Sequence, residues 1–299
     1  ARRGFFYTAV RENLIRLARG REDPKNWRPT VLVFSGNPEA RTPLIRYADW
    51  FAARRGLVYL ANVLIGDFEA LAPRRHASIA HLSKFCRENH LDAFPVVVAA
   101  ENLETGVDMI LQATTIGPIR PNVAQFGWIT DVVHLPSYMR QLRLCAALDI
   151  SIILMTDKNP PEIVESRAKR IDVWWRGKKN GQLMMLLAYL MTENWEWDHT
   201  KIRVLRVIER EEGREPAEKA LDKLVGMARV DATAEVVVSA EPFEKVLKTH
   251  SANATCTILG FELPEHDREL VWYHKFEKFI ESGENVVLIN SQGGEELMA

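Results

Sequence analysis

The sequence is poor in cysteine. Its three cysteines, Cys86, Cys145 and Cys256, are far apart, and none belongs to a Cys-x-x-Cys pair. Three widely spaced thiols do not form a disulfide framework of the kind that stabilises small secreted domains. We therefore predict a reducing, cytosolic environment, with the three thiols in the protein core.

Long apolar segments are absent as well. The most apolar stretch, residues 183–191, is far shorter than the roughly 20 residues that a helix needs to cross a bilayer. No signal peptide is recognisable at the N-terminus. The sequence thus predicts no membrane span within these 299 residues.

The common catalytic and phosphate-binding motifs are missing too. The sequence has no Gly-x-Gly-x-x-Gly, no Gly-x-x-x-x-Gly-Lys-Ser/Thr, no Gly-x-Ser-x-Gly and no His-Glu-x-x-His. His76 and His81 are not at the i, i+4 spacing that aligns two metal ligands on a helix. We predict no catalytic residue, no metal site and no enzymatic activity.

Neither charge is in excess. Lys and Arg total 39 against 40 Asp and Glu, which gives a net charge of −1. A nucleic-acid-binding domain normally has a strongly basic face, so this balance predicts no nucleic-acid partner. Hydrophobic residues at 47% and charged residues at 26% are typical of a globular chain. Its length predicts two domains or one long doubly wound sheet.

The sequence does contain a regular alternation of strand and helix patterns. In the first half we predict strands at residues 30–34, 57–65, 93–100, 122–128 and 151–155, with helices at 42–55 and 73–90 and around Leu103 and Leu135. The second half repeats the scheme with strands at 171–175, 201–208, 234–238, 255–259 and 285–289. Such alternation predicts an α/β fold with mainly parallel, doubly wound sheets.

Two halves with the same alternation predict a pseudo-symmetric pair of sheets joined edge to edge, although no close sequence repeat relates them. The composition changes most clearly at residues 157–161, so we place the boundary within residues 157–169. The predicted organisation is an N-terminal linker helix (1–26), a first α/β half (27–160) and a second α/β half (161–299).

Residues 171–208 are the most informative stretch. Ile-Asp-Val-Trp-Trp favours a strand, residues 183–191 favour a buried helix, and residues 201–208 favour a second strand, which together predict a parallel βαβ unit. Trp174 and Trp175 point to opposite faces of their strand. Because helices cover both faces of a doubly wound sheet, both are predicted to lie in the core.

This stretch resembles the cytosolic C-terminal domain of the cation–chloride cotransporters. In that family an Ile-Asp-Val-Trp-Trp strand precedes a Gly-led apolar helix and a Lys-Ile-Arg-Val-type strand, which correspond here to residues 171–175, 181–191 and 201–204. Residues 25–29, Lys-Asn-Trp-Arg-Pro, resemble the sequence that opens the family's domain. The chain lacks the long Ser/Thr-rich, acidic insertions of animal members, so it looks more similar to a prokaryotic one, and phosphorylation control is in doubt.

The resemblance implies a non-catalytic regulatory and dimerisation domain of an electroneutral K⁺/Na⁺–Cl⁻ cotransporter, on the cytoplasmic side of the cell membrane. Its implied partners are a second copy of itself and the transporter's own membrane domain, upstream in the full-length chain. No cofactor is implied.

The alternative is a stand-alone nucleotide-binding protein similar to the universal stress proteins, whose fold the chain also resembles. Some of those proteins hold ATP at a Gly-rich turn beside the fourth strand, but residues 115–127 here keep only Gly117 and Gly127. The candidate nucleotide-binding residues at strand ends are Ser35, Gly36, Gly66 and Gly127. Turn glycines needed only for backbone geometry explain them as well.

Two sets of residues are candidates for an interface. Phe6, Val10, Leu14 and Leu17 form one apolar stripe on the predicted N-terminal helix. That helix either contacts a partner or docks on its own domain. Trp195 and Trp197 lie in an acidic loop, and they either contact a partner or pack on the neighbouring helix end.

Overall fold

The computed structural model describes residues 2–20, 26–156, 169–228, 230–283 and 285–295. The first half contains α1 (Arg2–Arg19), β1 (Thr30–Phe34), α2 (Thr42–Ala52), β2 (Leu57–Ile65), α3 (Phe68–Glu88), β3 (Ala93–Ala100), α4 (Leu103–Ala113), β4 (Val123–Gly127), α5 (Leu135–Ala147) and β5 (Ser151–Met155). The second half contains β6 (Arg170–Trp174), α6 (Lys178–Thr192), β7 (Lys201–Ile208), α7 (Arg214–Ala228), β8 (Ala232–Val238), α8 (Phe243–His250), β9 (Cys256–Gly260), α9 (Glu269–Glu281) and β10 (Val286–Asn290).

These strands form one ten-stranded sheet in the order β3-β2-β1-β4-β5-β10-β9-β6-β7-β8. β5 and β10 pair antiparallel at its centre, with Ile153 opposite Ile289. The other neighbouring pairs are parallel. Outward from the centre, the two halves have the same winding order. The predicted α/β class, with two pseudo-symmetric halves and mainly parallel pairing, is confirmed. Most of the predicted boundary at residues 157–169 lies outside the described residues, so the domain limits stay a prediction.

Two helices begin earlier than the sequence predicts. α3 begins at Phe68, because the side chain of Asp67 accepts the N–H of Ala70 at 3.0 Å and caps the helix there. The predicted first residue, Pro73, therefore lies inside the helix. α6 begins at Lys178 and not at the predicted residue 183, so Gly181 lies within the helix. The ring of Trp175 occupies the place that a Cβ at Gly181 would need.

On one face of the sheet, α2 of the first half packs against α6 of the second. Just beyond α6, Trp197 meets Trp50 edge to face, with ring centroids 5.2 Å apart. The side-chain amide of Asn194 donates to the carbonyl of Trp50 at 3.0 Å. Arg55 pairs with Glu193 beside them. This face therefore joins the two halves through a desolvated aromatic contact.

On the opposite face, α5 packs against α9. The rings of Trp128 and Tyr273 stack with centroids 5.2 Å apart and an interplanar angle of 14°. The Tyr273 hydroxyl donates to the carbonyl of Ile129 at 3.1 Å. Arg143 pairs with Glu269 across the same contact. The halves are thus joined on both faces as well as through the central strands.

Candidate functional site

The Ile-Asp-Val-Trp-Trp motif of residues 171–175 is built around a buried ionic network. Asp172 is fully buried in β6 and accepts hydrogen bonds from Arg203 Nη2 at 2.8 Å and Arg170 Nε at 2.9 Å. The hydroxyl of Ser251 donates to the same carboxylate at 2.7 Å and accepts from the indole N–H of Trp174 at 3.0 Å. Because Ser251 caps the C-terminus of α8, the network fixes α8 against β6 and β7. Trp174 and Trp175 are both buried, as predicted.

A cleft of about 990 Å³ opens beside this network, at the carboxyl ends of β6, β7 and β9. Phe243 and Glu244, at the start of α8, form part of one wall, and α9 forms another. Four exposed basic residues line it: Arg176, Arg206, Lys275 and Lys278. These residues form no motif in the sequence, because they come from three separate elements. The only sequence signal was a basic residue directly after the buried strand β6.

A second cleft, of about 710 Å³, lies in the first half, where α3 faces the ends of β1 and β2. It is called the first-half cleft below. Of the four nucleotide candidates only Gly36 lines it, together with Asn37, Arg74 and Ser78. Gly36 has a positive φ of 56°, as its turn requires.

The other three nucleotide candidates do not line that cleft. Ser35 is fully buried, and its hydroxyl is directed to the carbonyl of Ala61, so the predicted contact with a ligand is wrong for this side chain. Gly66 has a positive φ of 141°, as a turn glycine would. The carbonyl of Gly127 accepts the hydroxyl of Tyr138 at 3.0 Å. The structure therefore does not bring the four candidates together.

The interface candidates divide into exposed and buried residues. On α1, none of whose residues is buried, Phe6, Val10 and Leu17 are exposed and Leu14 is partly buried. Trp195 is 68% exposed. Trp197 is only 1% exposed, so its prediction as an interface with another molecule is wrong. It packs on the first half of its own chain, because the short 3₁₀ turn of residues 195–197 directs it inward toward Trp50.

One partly buried carboxyl lies at the contact between the halves. Burial, followed by the negative charges of Glu196 and Asp92, raises the pKa of Asp49 to about 6, although Arg46 opposes the shift. The three thiols are buried, as predicted. Burial raises the pKa of Cys145 and of Cys256 to about 12. Within the described ranges, no group of three or more His, Cys, Asp or Glu residues could hold a metal ion.

A sequence profile of solute carrier family 12 matches residues 41–153 and 164–285 of this chain. The chain belongs to solute carrier family 12. Solute carrier family 12 member 3 of the mouse is 26% identical over an alignment that covers 60% of this chain. The alignment covers 21% of the mouse protein, so the chain spans about a fifth of that relative's length. The family resemblance predicted from residues 171–204 is thereby confirmed.

Two solved structures show the same fold. The cytoplasmic domain of a prokaryotic cation chloride cotransporter superposes with a TM-score of 0.64 at 18% identity, covering 91% of this chain and 98% of that one. A universal stress protein from Archaeoglobus fulgidus superposes with a TM-score of 0.59 at 10% identity, covering 89% and 97%. Among the described residues of this family member, no helix has the length and apolar character to cross a bilayer.

Proposed function

We propose that this chain is the cytosolic regulatory and dimerisation domain of an electroneutral K⁺/Na⁺–Cl⁻ cotransporter and that it has no catalytic activity of its own. It acts on the cytoplasmic side of the cell membrane as part of an integral membrane protein. Membership of solute carrier family 12 and the likeness to a cotransporter's cytoplasmic domain support this assignment. Its partners are the transporter's own membrane domain and a second copy of the chain.

The observation that carries the dimerisation proposal is the exposed apolar side of α1. Phe6, Val10 and Leu17 lie along one side of the helix and are each more than half exposed. A partner that fully buries one large apolar side chain stabilises the contact by about 1.5–3 kcal/mol, relative to leaving that side chain in water. A helix with such a stripe is a candidate for pairing with an identical helix, since the stripe is self-complementary about a two-fold axis.

The test is the molar mass of the purified chain by light scattering, compared with that of the variant Val10→Glu/Leu17→Glu. We expect the unmodified chain to have the mass of a dimer and the variant to have the mass of a monomer, because two carboxylates would enter the apolar contact. The matched control is Thr8→Glu/Arg19→Gln, which changes the net charge by the same amount on the opposite side of α1. The control is expected to stay dimeric.

Either of two results would count against α1 as the contact. If the unmodified chain is a monomer, the dimer itself is contradicted. If the Val10→Glu/Leu17→Glu variant is a dimer, the contact lies elsewhere. Circular dichroism of the variant should be unchanged, because the substituted residues are not buried in the core.

A second candidate function is nucleotide binding in the first half. It is favoured by the likeness to a universal stress protein and by the first-half cleft, where Gly36 lies at the carboxyl end of β1. The measurement is absorbance and mass spectrometry of the purified protein for carried ATP or AMP. A nucleotide that is lost from the Arg74→Glu variant would support this site.

A further inference from the structure

The cleft at the carboxyl ends of β6, β7 and β9, called the second-half cleft below, lies where doubly wound sheets characteristically bind ligands. In the sheet, β6 lies between β7 and β9. The helix that follows β7 packs on one face of the sheet, and the helix that follows β9 packs on the opposite face. The carboxyl ends of β6 and β9 therefore form a topological switch point, which leaves a crevice above the sheet. Trp175 and Arg176 follow β6, Gly260 ends β9, and all three line the cleft.

The equivalent point of the first half holds a stacked aromatic pair. It lies between the ends of β1 and β4, where the rings of Phe34 and Phe126 stack with centroids 4.6 Å apart. The first-half cleft lies instead over β1 and β2. The two clefts thus occupy different places in the two pseudo-symmetric halves, and the second-half cleft is the one that lies at its half's switch point.

The charges of the second-half cleft are arranged in two groups. Arg176 at the end of β6 and Lys275 and Lys278 on α9 supply positive charge. The Arg206 side chain is not one of them, because its neighbours Leu205 and Val207 face α8 and α9 and it alternates to the other face of the sheet. Glu241 and Glu244, at the β8–α8 connection, supply negative charge, with Glu209 after β7. No ion pair joins Arg176, Lys275 or Lys278 to a carboxylate among the described residues. These cations are therefore available to an anionic ligand.

Between the charged groups, the cleft has an aromatic wall. Phe243 is partly exposed and is held edge to face against Phe279 at 5.2 Å and Trp174 at 5.3 Å. Phe276 packs on Phe279 at 5.4 Å and continues the wall along α9. A planar ring can stack or pack edge to face on such a surface. A ligand that fits the whole cleft has an anionic end, a planar ring and hydroxyl or amino groups that donate to carboxylates.

We propose that this cleft binds a nucleoside phosphate, with the phosphates at Arg176, Lys275 and Lys278 and the ring against Phe243. The carboxylates of Glu241 and Glu244 accept hydrogen bonds from the ligand's hydroxyl or amino groups. The mixed charge disfavours a polyanion such as nucleic acid, since the acidic side would repel it. The volume of about 990 Å³ is in the range of small-molecule sites. This site goes beyond the proposed assembly role and does not depend on it.

The test is calorimetric titration of the 299-residue chain with ATP. We expect saturable binding of one ATP per chain. The variant Lys275→Glu/Lys278→Glu should bind at least about tenfold more weakly, because two carboxylates that repel the phosphates would replace two cations that donate hydrogen bonds to them. The neutral substitution Lys278→Gln should weaken binding by a smaller factor. Both residues are exposed and outside the core, so the thermal midpoint should not change.

The matched control is Lys84→Glu/Arg87→Glu, which reverses two exposed charges on α3 of the first half that do not line the first-half cleft. It should bind ATP as the unmodified chain does. Tripolyphosphate should bind about tenfold or more weakly than ATP, because it has no ring to contact Phe243. Absence of saturable heat with ATP would overturn the proposal. So would equal affinities of ATP and tripolyphosphate, or affinity that Arg74→Glu loses and Lys275→Glu/Lys278→Glu keeps, which would place the ligand in the first half.

Discussion

Trp50 and Trp197 belong to different halves of the chain, and their indole rings meet edge to face with centroids 5.2 Å apart. Both side chains are almost fully buried. The contact lies where α2 and α6 pack against each other, so it closes one face of the junction that β5 and β10 form in the sheet. We infer that the two halves unfold together.

Trp197→Ala should therefore destabilise the whole sheet. Large-to-small substitution of a buried aromatic residue costs about 3–5 kcal/mol of unfolding free energy. The matched control is Trp195→Ala two residues away, where the side chain is 68% exposed and the expected change is within about 0.5 kcal/mol. Urea unfolding followed by circular dichroism measures both. Two separate transitions in the unmodified chain would contradict unfolding as one unit.

Asp172→Ala tests the buried ionic network. The substitution removes the carboxylate that Arg170, Arg203 and Ser251 share, so Arg170 loses this ion pair and Arg203 is left with its ion pair to Glu235. Such losses cost about 3–5 kcal/mol. The control is Asp108→Ala, because its partner Arg140 is half exposed and a surface pair contributes only about 0–1 kcal/mol. Equal shifts of the urea midpoint in the two variants would show that the buried network has no special role.

Gly181→Ala and Gly226→Ala form a pair with opposite expected signs. A methyl group at Gly181 would overlap the ring of Trp175, and overpacking of this kind costs about 1–3 kcal/mol. No atom lies within 4 Å of a Cβ at Gly226 in α7, so alanine there should stabilise the helix by about 0.5–1 kcal/mol. The thermal unfolding midpoints of both variants, compared with that of the unmodified chain, measure these two changes. A stabilised Gly181→Ala variant would mean that the ring of Trp175 can move aside.

The raised pKa of Asp49 makes the stability of the folded chain depend on pH. Its pKa in the folded chain is raised to about 6 from 3.8, so the folded state binds this proton more tightly than the unfolded state does. The associated stabilisation is complete below about pH 4 and is lost as the pH rises through 6. Asp49→Asn should therefore raise stability relative to the unmodified chain at pH 8, and this advantage should shrink toward pH 4. Urea midpoints at pH 4, 5, 6 and 8 test this. A difference that does not change with pH would contradict the assigned cause.

The local sequence pattern was sufficient for most of the fold. The bounds of β1, β2, β3, β5 and β7 agree with the predicted strands to the residue. β1, β2, β3 and β5 are mainly apolar or β-branched runs, and β7 keeps apolar residues between its charged ones. The start of α3 was missed because Pro73 resembled a first helical residue, whereas the capping side chain of Asp67 lies further upstream.

Features that depend on contacts between distant elements could not be predicted in this way. The antiparallel pairing of β5 with β10 joins residues more than 130 positions apart, and nothing in either strand specifies its neighbour. Trp197 is in an acidic loop by sequence, and only the three-dimensional position of Trp50 shows that it is core. The second-half cleft was missed for the same reason, since Arg176, Lys275 and Lys278 come together only in the folded chain.

The pairing of two copies through α1 is tested most directly by disulfide cross-linking of the variant Val10→Cys. Residue 10 is near the middle of α1, so two paired helices bring these positions together in either relative orientation. The native thiols give little background because all three are buried. We expect Val10→Cys to form a covalent dimer under mild oxidation and Thr8→Cys, on the opposite side, to form none. Equal cross-linking of the two variants, or none in either, would contradict a dimer formed through α1.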